Sequence, residues 1–351
     1  MVTKCTKQFL DMGCDIRQKA SNKPNKTTFC LTLWRLLRAF VFLISACALV
    51  ACFSIRPVIK IGLIAPFEGL YRRTGYDALA AMRAAIADTP IVGVDILPLA
   101  LDDANEPSQA RRTAQKLLVD PSVQAIVGPL NPATLFSVID VLPKANSVWV
   151  APFAIAPDSA GFADPPLADA WATKLVGAVA EIAQMQQAHR LVLAGWTPGW
   201  PEYSAQTWTP MTKLPVVLAG NDIQAVVQDD VVFWLGSPAD AAVYLAKLRA
   251  KFPNIPFWLG PQGGDPVFVE RIKRHGPVYW ATWLGADYTQ WAAQHTPATP
   301  AAYLVYQATQ QAIAAATGQP ITSGIGSWRV AFFVIGEDGQ SRPYAKLTSG
   351  S

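Results

Sequence analysis

Adjacent carboxylates at Asp102-Asp103 are the first residues whose types invite a chemical reading, as a metal-holding or acid–base pair. They close an apolar run, Val94 to Leu101, that reads as a β-strand. Neighbours on a strand point to opposite faces, so the two carboxylates do not converge; capping or hinge hydrogen bonding is the expected role. His189, His275 and His295 are scattered, without the spacing of metal ligands. No GxSxG elbow, GxGxxG run or phosphate loop occurs, and Gly263-Gly264 alone makes a turn. The sequence therefore predicts no catalytic residue, no metal site and no cofactor. Aromatic residues say more. Trp196-Thr197-Pro198-Gly199-Trp200-Pro201-Glu202-Tyr203 directly follows the strand pattern His189 to Ala194. Its rings either cover a flat or apolar ligand at the carboxyl end of that strand or pack beneath a proline-stiffened loop. Trp234 and Trp258 fall inside strand patterns and read as core.

Charge and cysteine both set the N-terminus apart from the elements that must position these groups. Residues 1–52 hold eight Lys or Arg and two Asp, whereas the remaining 299 carry 21 basic and 23 acidic residues. The basic excess is thus confined to the terminus, and no nucleic-acid surface is predicted. Cys5, Cys14, Cys30, Cys47 and Cys52 all lie in the same stretch. The rest has no thiol nucleophile, no disulfide and no cysteine-based metal site. Ala39 to Ile55 is uncharged and follows Arg35 and Arg38, the layout of a secretory signal. Its end, Leu49-Val50-Ala51-Cys52, resembles the lipobox of bacterial lipoprotein precursors. Cleavage with lipidation at Cys52, an uncleaved membrane anchor and a buried core segment compete as readings, and the first is preferred. Residues 1–51 are taken as an export segment outside the fold.

Beyond it, strands and helices alternate. Val58 to Ala65, Val94 to Leu101, Val123 to Val127 and Ser147 to Ala151 read as strands, with helices over Gly75 to Ala87 and Ser108 to Leu118. After the Pro- and Asp-rich stretch Pro157 to Pro166 the pattern restarts. Helices are expected over Ala170 to Gln187, Ala239 to Lys251 and Pro300 to Ala316. Strands are expected over His189 to Ala194, Val231 to Leu235, Phe257 to Leu259, Val278 to Trp283 and Val330 to Gly336. Two successive α/β units follow, each with a doubly wound parallel sheet.

The ordered set Ile59-Lys60-Ile61-Gly62-Leu63-Ile64-Ala65-Pro66, Asp102-Asp103, Pro107, Gln109-Ala110 and Ala125-Ile126-Val127-Gly128-Pro129 resembles the branched-chain amino acid type of ABC-transporter solute-binding protein. The resemblance is strong over residues 58–155 and weaker, but in register, to about 340. It implies the type I periplasmic-binding-protein fold, two doubly wound parallel-sheet lobes joined by a multi-crossing hinge. Lobe 1 would comprise residues 56–164 with about 288–320, and lobe 2 residues 165–287 with about 321–351.

The same resemblance supplies a contact set for a ligand between the lobes. Ala133 and Thr134 match the loop that holds a ligand carboxylate. Phe153, Ala154 and Ile155 match the loop after the fourth strand, with Ile155 where a hydroxyl usually stands. Trp200 takes the aromatic position, Ser237 joins from the second lobe, and Gln262 falls where an acidic residue usually pairs with a ligand ammonium. A neutral amide cannot compensate a desolvated ammonium. The expected solute is therefore amino-acid-like, an amide or an aromatic or apolar acid, with leucine, isoleucine and valine poor ligands. Asn105 and Asn131 stand where some members of that family carry a disulfide. The implied protein is a non-enzymatic, extracytoplasmic lipoprotein that delivers a small solute to an ABC permease and binds the membrane through its N-terminal lipid; a ligand sensor of the same fold is the alternative. If Cys52 is the lipidated residue, Cys52→Ala should release the protein from membranes or leave it uncleaved. Mass spectrometry showing an unmodified N-terminus beyond residue 52 in native protein would count against it.

Overall fold

A computed structural model describes residues 34, 37–41, 56–142, 147–153, 168–195, 212–272, 275–319 and 328–344. The chain divides into Met1–Arg56 and Pro57–Ser351. In the first unit, residues 37–41 are helical and the Arg38 guanidinium lies 3.7 Å from the centre of the Trp34 ring. No described helix is long and apolar enough to cross a membrane. Cys52 lies outside the described residues.

The second unit begins with β1 (Val58–Ala65), whose last five residues are buried. That continuous apolar run is possible because β1 is an inner strand covered on both faces. It pairs in parallel with β2 (Asp95–Asp102) and β3 (Val123–Val127), and β3 pairs with β4 (Val148–Val150), giving the order β2-β1-β3-β4. Side-chain alternation splits the sheet between two cores. Ile61 and Leu63 pack with Ala78, Ala81 and Met82 of α1 (Arg72–Asp88), whereas Ile64 and Ile126 pack with Ala110, Ala114 and Leu117 of α2 (Pro107–Val119). The short helix α3 (Pro132–Phe136) follows β3 where a loop was expected from the sequence, because Pro132 is tolerated in a first helical turn.

The second sheet has the order β11-β10-β9-β8-β7-β5-β6 among the described residues. Its parallel part consists of β5 (Arg190–Ala194), β6 (Val216–Gly220), β7 (Asp230–Trp234), β8 (Phe257–Leu259) and β9 (Val278–Leu284). Helix α4 (Ala168–Met185) covers one face, through Val176, Val179 and Ala183, and α5 (Pro238–Lys251) the other, through Ala241, Leu245 and Leu248. Trp234 and Trp258 are buried in strands, as the sequence pattern indicated. The helix α6 (Pro266–Ile272) packs on α5, and α7 (Tyr288–Gln294) follows β9.

Two strands depart from the all-parallel expectation. β10 (Arg329–Ile335) runs antiparallel to β9, and β11 (Ser341–Pro343) antiparallel to β10. Their connection is a tight turn closed by the bond from the Gly339 N–H to the Gly336 carbonyl (2.9 Å), and so short a link joins only antiparallel neighbours.

Helix α8 (Pro300–Thr317) packs on α1, β3 and β4 although the strands on either side of it, β9 and β10, belong to the other sheet. Tyr306 donates to Asp88 (2.9 Å) and Gln310 to Thr89 (3.2 Å), tying α8 to the end of α1.

The start of α1 is set by a close backbone approach. A Cβ at Gly75 would lie 1.9 Å from the Pro66 carbonyl oxygen, so the helix reaches the loop after β1 only with glycine there. Gly75→Ala should cost about 1–3 kcal/mol, read as a lower urea midpoint. An unchanged midpoint would mean that the loop yields.

Candidate functional site

Parallel strands leave the carboxyl ends of both sheets facing a common space, with backbone donors and acceptors that no further strand pairs. Side chains take several of them. Asp102 Oδ1 accepts from the N–H groups of Phe67 (2.6 Å) and Ala104 (3.0 Å), clamping the loop after β1 to the loop after β2. Asp103 Oδ1 accepts from Asn105 N–H (2.9 Å). The pair therefore performs the hydrogen-bonding work suggested by its position on a strand, each carboxylate on a different target.

Among the described residues, four hydrogen bonds run between the first sheet's elements and those of the second. The Tyr71 hydroxyl, just before α1, accepts from Ala239 N–H in the first turn of α5 (2.9 Å). Burial pushes the Tyr71 phenol above its usual range. Thr74 Oγ1 donates to Asp265 Oδ2 (2.7 Å). Gln262 Nε2 donates to the Leu130 carbonyl, and it lies 3.1 Å from Asn131 Oδ1. Asn131 in turn donates through Nδ2 to Asn105 Oδ1, joining the loops after β3 and β2.

Beside these contacts lies a cavity of about 560 Å³ with walls from both sheets' elements, including Thr74, Asp77, Leu130, Phe153, Gln262 and Asp265. Trp280 and Phe333, stacked with ring centres 4.3 Å apart, form part of its floor. Gly263 lies on Trp280, where a Cβ would meet the Trp280 Cβ at 2.2 Å, so the turn needs bare backbone to sit there. The wall is not neutral. Burial raises the Asp265 carboxyl, opposed by its bonds from Thr74 and Val267 N–H and reinforced by the charge of Asp77. Asp77 is raised as well, chiefly by burial, with Arg73 opposing. Two carboxylates that ionise reluctantly and face one space favour a ligand group that donates hydrogen bonds or carries positive charge.

Of the residues singled out from the sequence, Phe153 and Gln262 come together on this cavity. Thr134 is fully buried in α3, its hydroxyl donating to the Asn131 carbonyl (3.0 Å), and Ala133 is half-buried beside it; neither lines the cavity. Ser237 caps α5, accepting from Asp240 N–H (3.2 Å) and donating to Asp240 Oδ2 (2.6 Å), and also stands apart from the cavity. Ala154, Ile155, Trp196 and Trp200 lie outside the described residues. The sequence reading missed Asp77, Asp265 and Thr74. Thr74 and Asp77 sit in a helix that reads only as an apolar stripe, and Asp265 follows a glycine turn; the one available signal was its position three residues beyond Gln262.

Residues 58–320 match the protein family described as periplasmic binding protein. The chain is similar to the solved structure of a leucine binding protein, LivK, from Thermotoga maritima, with 15% identity and a TM-score of 0.64 over 82% of this chain and 98% of that one. It is similar to LivJ of Streptococcus pneumoniae, a branched-chain amino acid transporter substrate binding protein solved with isoleucine (16% identity, TM-score 0.59, 81% and 98% covered). A solute binding protein from R. palustris in complex with 4-hydroxybenzoate is a further relative in fold (13% identity, TM-score 0.58, 81% and 95% covered). A search of curated proteins finds no match. At these identities the solved structures speak for the fold alone.

Asp103 supports the loops behind the cavity at a cost. It is 1% exposed, its Oδ2 has no hydrogen-bond partner, and burial pushes its carboxyl up to about 6, with the Asp102 charge adding to the rise and the Asn105 N–H opposing it. The folded protein therefore holds this proton more tightly than the unfolded chain. The associated stability is complete below about pH 4 and is lost as pH rises through 6. Asp103→Asn keeps an acceptor for Asn105 N–H and removes the charge. It should raise unfolding free energy at pH 7.5 by up to about 3 kcal/mol and flatten the pH dependence between about 4 and 6. Denaturant titrations at several pH values would show this; a lower stability at pH 7.5 would mean the ionised carboxylate is wanted.

Proposed function

The chain belongs to the periplasmic binding protein family, and on that premise we propose that it is an extracytoplasmic receptor, anchored by a lipid on Cys52, that captures a small solute between two lobes and hands it to an ABC permease. The family is one of solute-binding proteins and not of enzymes. One observation carries the reading for this chain: the cavity of about 560 Å³ that takes its walls from both sheets' elements. A solute held there touches both lobes, so its binding energy favours the closed arrangement over the open one, which is how a ligand drives hinge closure.

The proposed solute is small enough for that volume, with an apolar or flat body against Leu130 and Phe153 and a donor-bearing end toward Asp77 and Asp265. Within the range drawn from the sequence, this favours amino-acid-like and amide solutes over acids. An anion would meet a wall in which Arg73 is outnumbered by Asp77, Asp265, Glu270 and Asp338, which costs affinity in a partly dry site. Gln262 supplies no charge to an ammonium and its Nε2 donates to the first lobe, so a branched-chain amino acid would depend on Asp77 and Asp265 alone, and poor binding remains the expectation.

A thermal-shift screen of amides, amines, amino acids, nucleosides and aromatic acids tests both levels. A true ligand at about a hundredfold over its Kd should raise Tm by roughly 5–10 °C, with donor-bearing solutes leading. Stabilisation by acids alone would overturn the ligand class. No stabilisation by any small solute, followed by no heat in calorimetry, would overturn the receptor reading.

A further inference from the structure

Gln262 is placed to do something other than read a solute. Its amide crosses from the turn after β8 to the first lobe, donating to the Leu130 carbonyl and lying 3.1 Å from Asn131 Oδ1. Asn131 is 4% exposed and bonded onward to Asn105, so the acceptor side of the contact is fixed and not a mobile surface amide. Asn105 is held in turn by Asp103. The chain of groups Asp103, Asn105, Asn131 and Gln262 thus begins in the loop after β2, passes through the loop before α3, and ends in the other lobe. Every link is protein to protein.

We propose that Gln262 is a closing latch: its amide supplies between the lobes a bridge that needs no solute, so the ligand-free protein populates the closed form. The inference concerns the regulation of the proposed solute site and rests on that reading for its consequence, but its geometry stands without any solute. Opening the cleft would exchange the bonds of Gln262 to the Leu130 carbonyl and Asn131 Oδ1 for bonds to water, at the modest net cost of a hydrogen bond. Two further contacts, Tyr71 to Ala239 N–H and Thr74 to Asp265, close over the same opening and act in the same direction. A cavity already formed binds its solute without an ordering cost, while entry waits on the open form.

The test reads closure directly. Spin labels at Lys116→Cys in α2 and Lys247→Cys in α5, both exposed and in different lobes, report the interlobe distance in the full chain with its five native cysteines changed to serine. Without solute, the closed distance should dominate. Gln262→Ala should shift the closed-to-open ratio toward open by about five- to tenfold, the value of one well-placed hydrogen bond with its acceptor left behind. Gln262→Glu has the same shape but presents an acceptor to the Leu130 carbonyl, and should open the cleft at least as far at neutral pH. That outcome separates donation from mere filling of space. An open ligand-free wild type, or a Gln262→Glu variant as closed as wild type, would overturn the latch. Closure without solute in a protein that binds nothing in the screen leaves the latch standing and removes the receptor reading.

Discussion

The backbone groups at the carboxyl ends of parallel strands must find partners that no neighbouring strand can supply, and most of what surrounds the cavity answers that requirement. An unpaired buried amide or carbonyl costs as much as a lost hydrogen bond, so each loop there carries a side chain to meet it. Asp102 takes the Phe67 N–H, Asp103 the Asn105 N–H, Trp149 gives its indole N–H to the Gly128 carbonyl (2.6 Å), and Gln262 serves the Leu130 carbonyl from the opposite lobe. The loops are consequently held to one another before any solute is considered. Their polar atoms are largely spent on each other, and the Asp265 carboxylate is no exception, accepting from the Thr74 hydroxyl and from the Val267 N–H.

How far this was visible in the sequence follows from the range of the interactions involved. β1, β3 and α5 were readable because a buried parallel strand and an apolar helical stripe are written locally, in VIKIGLIA, in VQAIV and in Ala239 to Lys251, although Ser237, which caps α5, was assigned to the ligand instead. β11 was not, since three exposed residues ending in proline carry no periodicity; only the Asp338-Gly339 turn between β10 and β11 hinted at a hairpin. α3 escaped for a similar reason, five residues being too few to show a helical period.

The cavity was harder still. Phe153 and Gln262, which line it, were named as ligand contacts through a family pattern, which places loops but does not say which side chain fills them. The carboxylate Asp265 matters because Thr74, separated from it by 191 residues, donates to it, and no local rule links the two. The same holds for the meaning of Gln262: as a neutral substitute for an acid it suggests only what the site lacks, and its bond to Leu130 shows what the amide does instead. The Asn105–Asn131 contact makes the converse point. Replacement of both residues by amides reads from the sequence as a lost cross-link, yet the two loops remain joined by a hydrogen bond.

The placement of α8 has a consequence for the order in which the molecule can be made. This helix seals the first sheet and bonds to α1 across separations of 218 and 221 residues, yet it is synthesised after the second sheet's strand β9. The first four strands therefore emerge from the ribosome with one face of their core covered only by α1, and the part that α8 seals stays open until residue 317 has been added. Contacts so distant along the chain are slow to form, because the entropy of closing the loop is spent before any burial repays it. The face that α8 seals is thus the last part of the first sheet's core to be completed, and a chain ending before residue 300 would leave it open to water.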